Sequence, residues 1–200
     1  MLENLKNWDT ELFLWLNNQG QPSWDRFWLL VSETEVWFPL YAVLLGLFLI
    51  QFRNKSFFWA LPFVALTVVF TDQGSVQLFK EQFQRLRPCH VEALIGQMRT
   101  VKEGCGGKYG FISSHASNTF GLALMAGFSL RRKFSWLLPV LLLWATFVSY
   151  SRIYLGVHYP LDIIVGGLYG SLCGFLVYRL FFLMVRPRYR RAGGIKRKYN

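Results

Sequence analysis

Long apolar segments without charged side chains are the feature that most constrains the fold of this 200-residue chain. Three segments contain no charged residue, and a fourth has only Asp162 near its start and Arg179 near its end. The four segments cover residues 36–52, 57–70, 134–150 and 161–185. A helix needs about 20 mostly apolar residues to cross a bilayer, whereas a helix of a soluble bundle keeps a polar face. The sequence therefore predicts a polytopic α-helical membrane protein.

Two further stretches complete the predicted helices. Residues 115–130 are more polar and rich in Gly and Ala, which suits a helix packed inside a bundle. Residues 1–16 repeat apolar side chains at helical spacing with charged residues between them, which predicts an amphipathic helix at the membrane interface. A second short helix, capped by Ser23, is expected to follow.

The predicted fold class is an all-α membrane bundle of five transmembrane helices, preceded by the amphipathic interfacial helix. The number becomes six if residues 10–31 also insert into the bilayer. The domain organisation is N-terminal interfacial helices at 1–35, a transmembrane domain at 36–185 and a basic tail at 186–200.

The basic residues predict the orientation. The tail at 186–200 holds seven Lys and Arg and no acid, and residues 53–55 and 131–133 add five more. By the positive-inside rule these segments, including the C-terminus, are cytoplasmic, so the loops at 80–112 and 151–160 face the periplasm of an inner-membrane protein. The net charge of +11 is then mainly a topology signal. The tail is expected to contact anionic lipid, and no nucleic-acid partner is expected.

Two cysteines, Cys89 and Cys105, lie in the first of these outer loops. Because the outer side of the membrane is oxidising, a disulfide between them is predicted. Cys173 falls in the last apolar segment and is expected to be a small packing residue.

Three polar clusters lie at this same outer face, at residues 78–90, 110–118 and 151–162. Lys80 and Arg87 are seven residues apart, which is two helical turns, and Pro88 is expected to end that helix. Arg152 arrives from another span. Three cations that converge with few acids near them favour an anion as ligand.

The second cluster adds hydrogen-bond donors for such an anion. Ser113 and Ser114 fit the N-cap and the first position of the third long helix. The start of a helix presents free N–H groups and the positive end of its dipole.

The third cluster holds a histidine and an acid. His158 and Asp162 are four residues apart and share a face if the segment is helical, and Pro160 suits the first turn of the last span. Asp162 would accept from one ring nitrogen and leave the other as an electron-pair donor. Histidine can itself attack phosphorus, and His115 could protonate the leaving oxygen.

Two rival chemistries use the same residues. His90, His115, His158 and Asp162 could bind zinc, although three nearby cations oppose a divalent metal. Ser151 or Ser113 could be a hydrolytic nucleophile with a histidine base, but the sequence has no strand–turn–helix nucleophile elbow.

Taken together, these residues resemble the three-part signature of the type 2 phosphatidic acid phosphatases, the PAP2 superfamily. The matching parts are Lys80-x6-Arg87-Pro88, Ser113-Ser114-His115 and Ser151-Arg152-x5-His158-x3-Asp162. The second part departs from the usual Pro-Ser-Gly-His, because Ile112 and Ser114 replace Pro and Gly.

The resemblance implies a PAP2-like membrane fold and a phosphatase that needs no metal or other cofactor. His158 would form a phosphohistidine, Asp162 would orient it and His115 would be the general acid. The phosphate would be bound by Lys80, Arg87, Ser113, Ser114 and Arg152.

The substrate implied by the resemblance is a lipid phosphate, with undecaprenyl diphosphate as the first expectation and undecaprenyl phosphate as its product. Phosphatidic acid, phosphatidylglycerol phosphate and lipid A phosphates are the alternatives. A lipid phosphotransferase on the same fold, or an anion-conducting or scaffold protein without enzymatic activity, would also fit. The sequence predicts no oligomeric state.

Overall fold

The computed structural model describes residues 2–52, 56–101 and 104–192, and these residues form helices and loops without a β-strand. The helices are α1 (Leu2–Asn18), α2 (Pro22–Ser32), α3 (Phe38–Gln51), α4 (Ser56–Gly74), α5 (Glu81–Phe83), α6 (Ser114–Leu130), α7 (Leu137–Tyr154) and α8 (Pro160–Ala192). A π-helical turn, Ser75–Lys80, joins α4 to α5. Short 3₁₀ turns lie at Glu35–Trp37, Pro88–His90 and Glu92–Leu94. The all-helical class predicted from the apolar segments is confirmed.

The N-terminal segment forms two helices. Asp9, Phe13 and Asn17 form the buried face of α1, while Trp8 and Trp15 are exposed on the opposite side. The predicted cap of α2 is wrong: Gln21 is the N-cap residue with extended backbone, and Pro22 follows at the first position. Proline suits that position because its fixed φ is helical and the N–H it lacks would have no helical partner.

Two helices of the described ranges are long and apolar enough to cross a membrane, Leu137–Tyr154 and Pro160–Met184. The pair Pro22–Ser32 and Glu35–Gln51, bent by 69°, gives a third span if the two helices count as one. Helices α4 and α6 coincide with the two remaining segments of the sequence analysis. The count of five or six spans therefore stays a prediction. Residues 53–55 and 193–200, and with them much of the basic tail, lie outside the described residues.

Helix α6 is the centre of the bundle and packs against α4, α7 and α8. Its contact with α8 is close because Gly170 and Gly174 face the backbone of α6. A Cβ atom at either glycine would overlap the carbonyl oxygen of Ser117 or Gly121. Small residues at a helix–helix interface are typical of membrane bundles, so the predicted packing role of residues 115–130 is confirmed.

The polar end of the bundle is the end that carries the connection from α5 to α6. A disulfide between Cys89 and Cys105, whose Cα atoms are 6.0 Å apart, links two parts of this connection. The predicted bridge is therefore present. Cys173 is a free, half-buried residue of α8. The start of α6 and the short α7–α8 connection lie at the same end, because the three segments bond to one another there.

Candidate active site

His158 and Asp162 form the centre of the polar end. The His158 Nδ1 atom lies 3.3 Å from Asp162 Oδ2, and the two residues are 1% and 0% exposed. His158 lies in the α7–α8 connection and not in a helix, so the two residues meet without the shared helical face that a helical segment would have given them. The pair forms because Asp162 is in the first turn of α8, where its carboxylate also accepts from the Tyr159 N–H at 3.0 Å.

Lys80 and Arg87 reach this centre by different routes. The helix does not run to Pro88 as predicted: it ends at Phe83, and Gln84 has a positive φ of 45°. Lys80 donates to Ser114 Oγ at 2.6 Å. Arg87 lies in an extended segment, and its guanidinium donates to the carbonyl oxygens of Cys105 (2.9 Å) and Tyr109 (3.3 Å).

Arg152 comes from the last turn of α7 and is 5% exposed. One guanidinium nitrogen donates to Ser32 Oγ at the end of α2. Its Nε atom has no hydrogen-bond partner among residues 2–52, 56–101 and 104–192. Because buried donors are almost always paired, this N–H is a donor that an anion at the site could use.

The start of α6 is built as the sequence predicts. Ser113 is the N-cap residue and its Oγ accepts from the Ala116 N–H at 3.4 Å, while Ser114 is the first helical residue. The Ser113 N–H donates to the Asp162 carbonyl at 2.9 Å, which fixes α6 against α8. Ser114 Oγ also lies 2.6 Å from Ser75 Oγ, so the hydroxyl at the unusual serine position joins α6 to the π-helical turn.

Burial and positive charge control the ionisation of this site. Burial, followed by the charges of Arg152, Arg87 and Lys80, holds the pKa of His158 well below its usual range. Burial, followed by the charge of Arg87, lowers the pKa of Lys80 to about 8. His158 is therefore a neutral imidazole near pH 7, while its surroundings carry positive charge.

An apolar cavity of about 390 Å³ runs from His115 into the bundle. Residues of α3, α4, α6 and α7 form its walls, and Ser32, the partner of Arg152, lies at the same end as His115. Among the lining residues Leu45 of α3 and Leu61 and Val68 of α4 are exposed, so the cavity is open to the surroundings on its α3 and α4 side.

Two residues named for zinc binding or for a serine nucleophile, His90 and Ser151, have other contacts. His90 is exposed in the disulfide-bridged loop, where its ring lies 3.4 Å from the Gly106 carbonyl oxygen. Ser151 Oγ donates to the Val148 carbonyl at 2.6 Å. Within the described ranges no group of three or more His, Cys, Asp or Glu side chains is arranged to hold a metal ion.

Two residues of the polar end were missed by the sequence analysis. Arg85 donates to Asp162 Oδ1 at 3.0 Å and to Asp9 Oδ2 at 2.6 Å. Arg85 and Arg87 lie on the same side only because their segment is extended, and the sequence predicts a helix there, so their spacing gave no usable signal. For Asp9 the sequence contained no signal either.

The chain is similar to several known proteins. A family profile described as the PAP2 superfamily matches residues 57–186. The lipid A 4'-phosphatase of Bacteroides thetaiotaomicron is 37% identical over 179 residues, which cover 89% of this chain and 79% of that protein. Phosphatidylglycerophosphatase B of Escherichia coli K12 is 26% identical over an alignment of 192 residues, covering 77% and 75% of the two chains. The crystal structure of the first transmembrane PAP2 type phosphatidylglycerolphosphate phosphatase from Bacillus subtilis shares the fold, with a TM-score of 0.64 at 18% identity over 98% of this chain and 90% of that one.

Proposed function

The chain belongs to the PAP2 superfamily, and we propose that it is a membrane lipid phosphatase that works through a phosphohistidine at His158. The observation that carries this proposal is the buried His158–Asp162 pair, faced by the charges of Arg152, Arg87 and Lys80. A neutral imidazole in a cationic site is suited to attack a phosphate, since the cations bind the anion and keep the ring unprotonated.

The reaction has two steps. The second ring nitrogen of His158, Nε2, attacks phosphorus as the bond to the lipid oxygen breaks, and His115 gives a proton to that leaving oxygen. A water molecule then attacks the phosphohistidine, His115 takes its proton, and the P–N bond breaks to release inorganic phosphate and neutral His158. In both steps Asp162 accepts from Nδ1–H and stabilises the positive charge that develops on the ring.

The phosphate oxygens are bound by groups that are already in place. Phosphoryl transfer spreads negative charge over three equatorial oxygens, and donors aimed at that charge lower the barrier without reorganising. We assign this role to Lys80, Arg87, Arg152 and the α6 start at Ser113 and Ser114. The support is the burial of Arg152 and Ser113 and the contacts of the half-buried cations, which fix Arg87 on two carbonyls and Lys80 on Ser114.

The substrate that we propose is the phosphate of a lipid A-type glycolipid. The lipid A 4'-phosphatase that is 37% identical over most of the chain supports this choice over undecaprenyl diphosphate. Phosphatidylglycerol phosphate is the alternative, supported by a relative of 26% identity. The apolar cavity beside His115 would receive an acyl chain, and we place the site on the extracytoplasmic face of the inner membrane.

The test is phosphate release by purified protein in detergent with excess EDTA. The substrates are lipid A, phosphatidylglycerol phosphate, phosphatidic acid and undecaprenyl diphosphate, and mass spectrometry follows the lipid products. His158→Ala should abolish release, whereas His90→Ala, a change of the exposed loop histidine, should not. Release that EDTA abolishes, or that His158→Ala retains, would contradict the proposed mechanism. Phosphate transferred to a second lipid would indicate a phosphotransferase.

A further inference from the structure

Arg85 joins two carboxylates at the polar end of the bundle. Its two terminal nitrogens donate to Asp162 at 3.0 Å and to Asp9 at 2.6 Å, and both acids are fully buried. The guanidinium carbon also lies 3.9 Å from the centre of the Tyr159 ring. A planar guanidinium held by two carboxylates and an aromatic face has little freedom to move.

Asp9 belongs to α1, which lies outside the 57–186 range of the PAP2 family match. Its second oxygen accepts from the Leu161 N–H at 2.9 Å. Because Leu161 precedes Asp162 in the chain, the carboxylate of Asp9 contacts both the backbone beside Asp162 and the cation bound to Asp162. Helix α1 is thus fixed to the first turn of α8, directly beside Asp162.

The two oxygens of Asp162 have different partners. Oδ2 faces His158 Nδ1 and the Tyr159 N–H, and Oδ1 accepts from Arg85. A carboxylate with both oxygens bound cannot rotate about its χ2 bond without losing a hydrogen bond. The contact with Arg85 therefore sets the orientation in which Asp162 presents Oδ2 to the histidine.

Asp9 also affects the net charge of the group of side chains around Asp162. Arg85 alone would neutralise Asp162 and weaken its attraction for a positively charged imidazole. With Asp9 ionised, the three side chains Asp9, Arg85 and Asp162 together carry one negative charge. Asp162 can then be oriented by a cation and still stabilise the charge that develops on His158.

We propose that Asp9 and Arg85 are positioning residues for the His158–Asp162 pair, so that the N-terminal helix contributes to catalysis without touching the substrate. This inference rests on the proposed phosphohistidine function. Its simplest competitor is a purely structural contact that fixes α1 to the bundle.

The test uses Asp9→Asn in the full chain, which keeps an oxygen for the Leu161 N–H and removes the charge. The expected result is a kcat lowered by roughly 10-fold to 100-fold, as misplacement of a catalytic group can produce, with KM changed by less than about twofold because the phosphate-binding cations are untouched. Arg85→Lys, which keeps the charge but has a single nitrogen, should lose less than Arg85→Gln. The double variant Asp9→Asn/Arg85→Gln should be no slower than Arg85→Gln alone, because the two residues act as one unit.

Asp25→Asn is the matched control. Asp25 forms an ion pair of similar length, 2.9 Å, with Arg99 and fixes α2 to the loop between α5 and α6; its hydrogen bonds within the described residues are with Arg99 and Tyr154 and not with His158 or Asp162. This variant should lower only the temperature of unfolding and leave kcat unchanged. If Asp9→Asn behaves in the same way, the positioning role is wrong while the phosphatase function stands. If the wild-type protein releases no phosphate from any lipid, the proposed function fails, and the positioning role with it.

Discussion

Lys80 Nζ lies 2.6 Å from Ser114 Oγ, so the first cation of the signature is bound by the residue that departs from it. The PAP2 pattern has glycine where Ser114 stands, and glycine has no side chain to offer. In this chain the serine hydroxyl holds the ammonium group at the start of α6, next to the N–H groups that we assign to the phosphate. The departure therefore adds a contact to the proposed phosphate site.

Replacing Ser114 by Ala or Gly should weaken substrate binding. Each change removes the hydroxyl that orients Lys80, a hydrogen bond of about 1 kcal/mol, and KM should rise roughly fivefold with a smaller effect on kcat. Steady-state kinetics of both variants checks this. A KM equal to that of the wild type in both would show that Lys80 does not depend on Ser114.

The activity should fall as the pH rises above neutrality. The pKa of Lys80 is about 8, because burial and the charge of Arg87 disfavour its charged form. As the pH increases through this value the ammonium loses its proton, and kcat/KM should decline with a midpoint near 8. Lys80→Arg should move the decline to higher pH because arginine stays protonated. A decline that is the same in both proteins would assign it to another group.

Asp162→Asn should reduce kcat by about 100-fold or more, as loss of the orienting carboxylate does in other histidine-dependent sites. The amide can still accept from the Tyr159 N–H, so α8 should keep its first turn. The measurement is kcat together with thermal unfolding in detergent. A variant with normal unfolding and normal kcat would exclude Asp162 from the reaction.

Opening the disulfide should affect both stability and substrate binding. Cys89 and Cys105 are 16 residues apart, and a bridge that closes a loop of this size contributes about 3 kcal/mol. Arg87 donates to the Cys105 carbonyl, so the double variant Cys89→Ser/Cys105→Ser should also raise KM. A reducing agent should have the same effect on the wild type and none on the variant. A different response to the agent would indicate that it acts at another position.

A larger side chain in the apolar cavity should lower the activity toward substrates with long acyl chains. Leu122 lines the cavity on α6, and Leu122→Trp should lower kcat/KM for a long-chain substrate roughly tenfold, equivalent to 1.4 kcal/mol, but leave a short-chain analogue unaffected. Leu143→Trp is the control, because Leu143 is 60% exposed on the outside of α7. Equal losses for long and short chains would mean that the cavity does not bind the lipid tail.

The sequence predicts local features of this protein well. The apolar segments predict the helices, Ser113 predicts the start of α6, and the two loop cysteines predict the bridge, because each depends on a local pattern or on the side of the membrane. The helix through Lys80 and Arg87 is wrong since the positive φ of Gln84 ends it, and nothing in a spacing of seven residues reveals that turn.

The contacts of Arg85 could not be predicted. Arg85 is 76 positions from Asp9 and 77 positions from Asp162 in the sequence. Its contacts with them depend on how α1 and α8 pack. Helix α1 has an apolar pattern that predicts a surface helix, yet its buried face is centred on Asp9, Phe13 and Asn17. A polar residue that faces the protein interior from such a helix looks in the sequence like one that faces water.

The cavity that is open on its α3 and α4 side has a consequence for how the enzyme meets its substrate. A lipid whose tail binds in this cavity, as proposed, would enter sideways from the bilayer without leaving it, so its encounters with the enzyme would take place in two dimensions. The rate should then follow the mole fraction of substrate in the membrane or micelle and not its bulk concentration. Adding detergent at constant substrate would slow turnover by surface dilution, and lateral mobility of the lipid would become part of the kinetics.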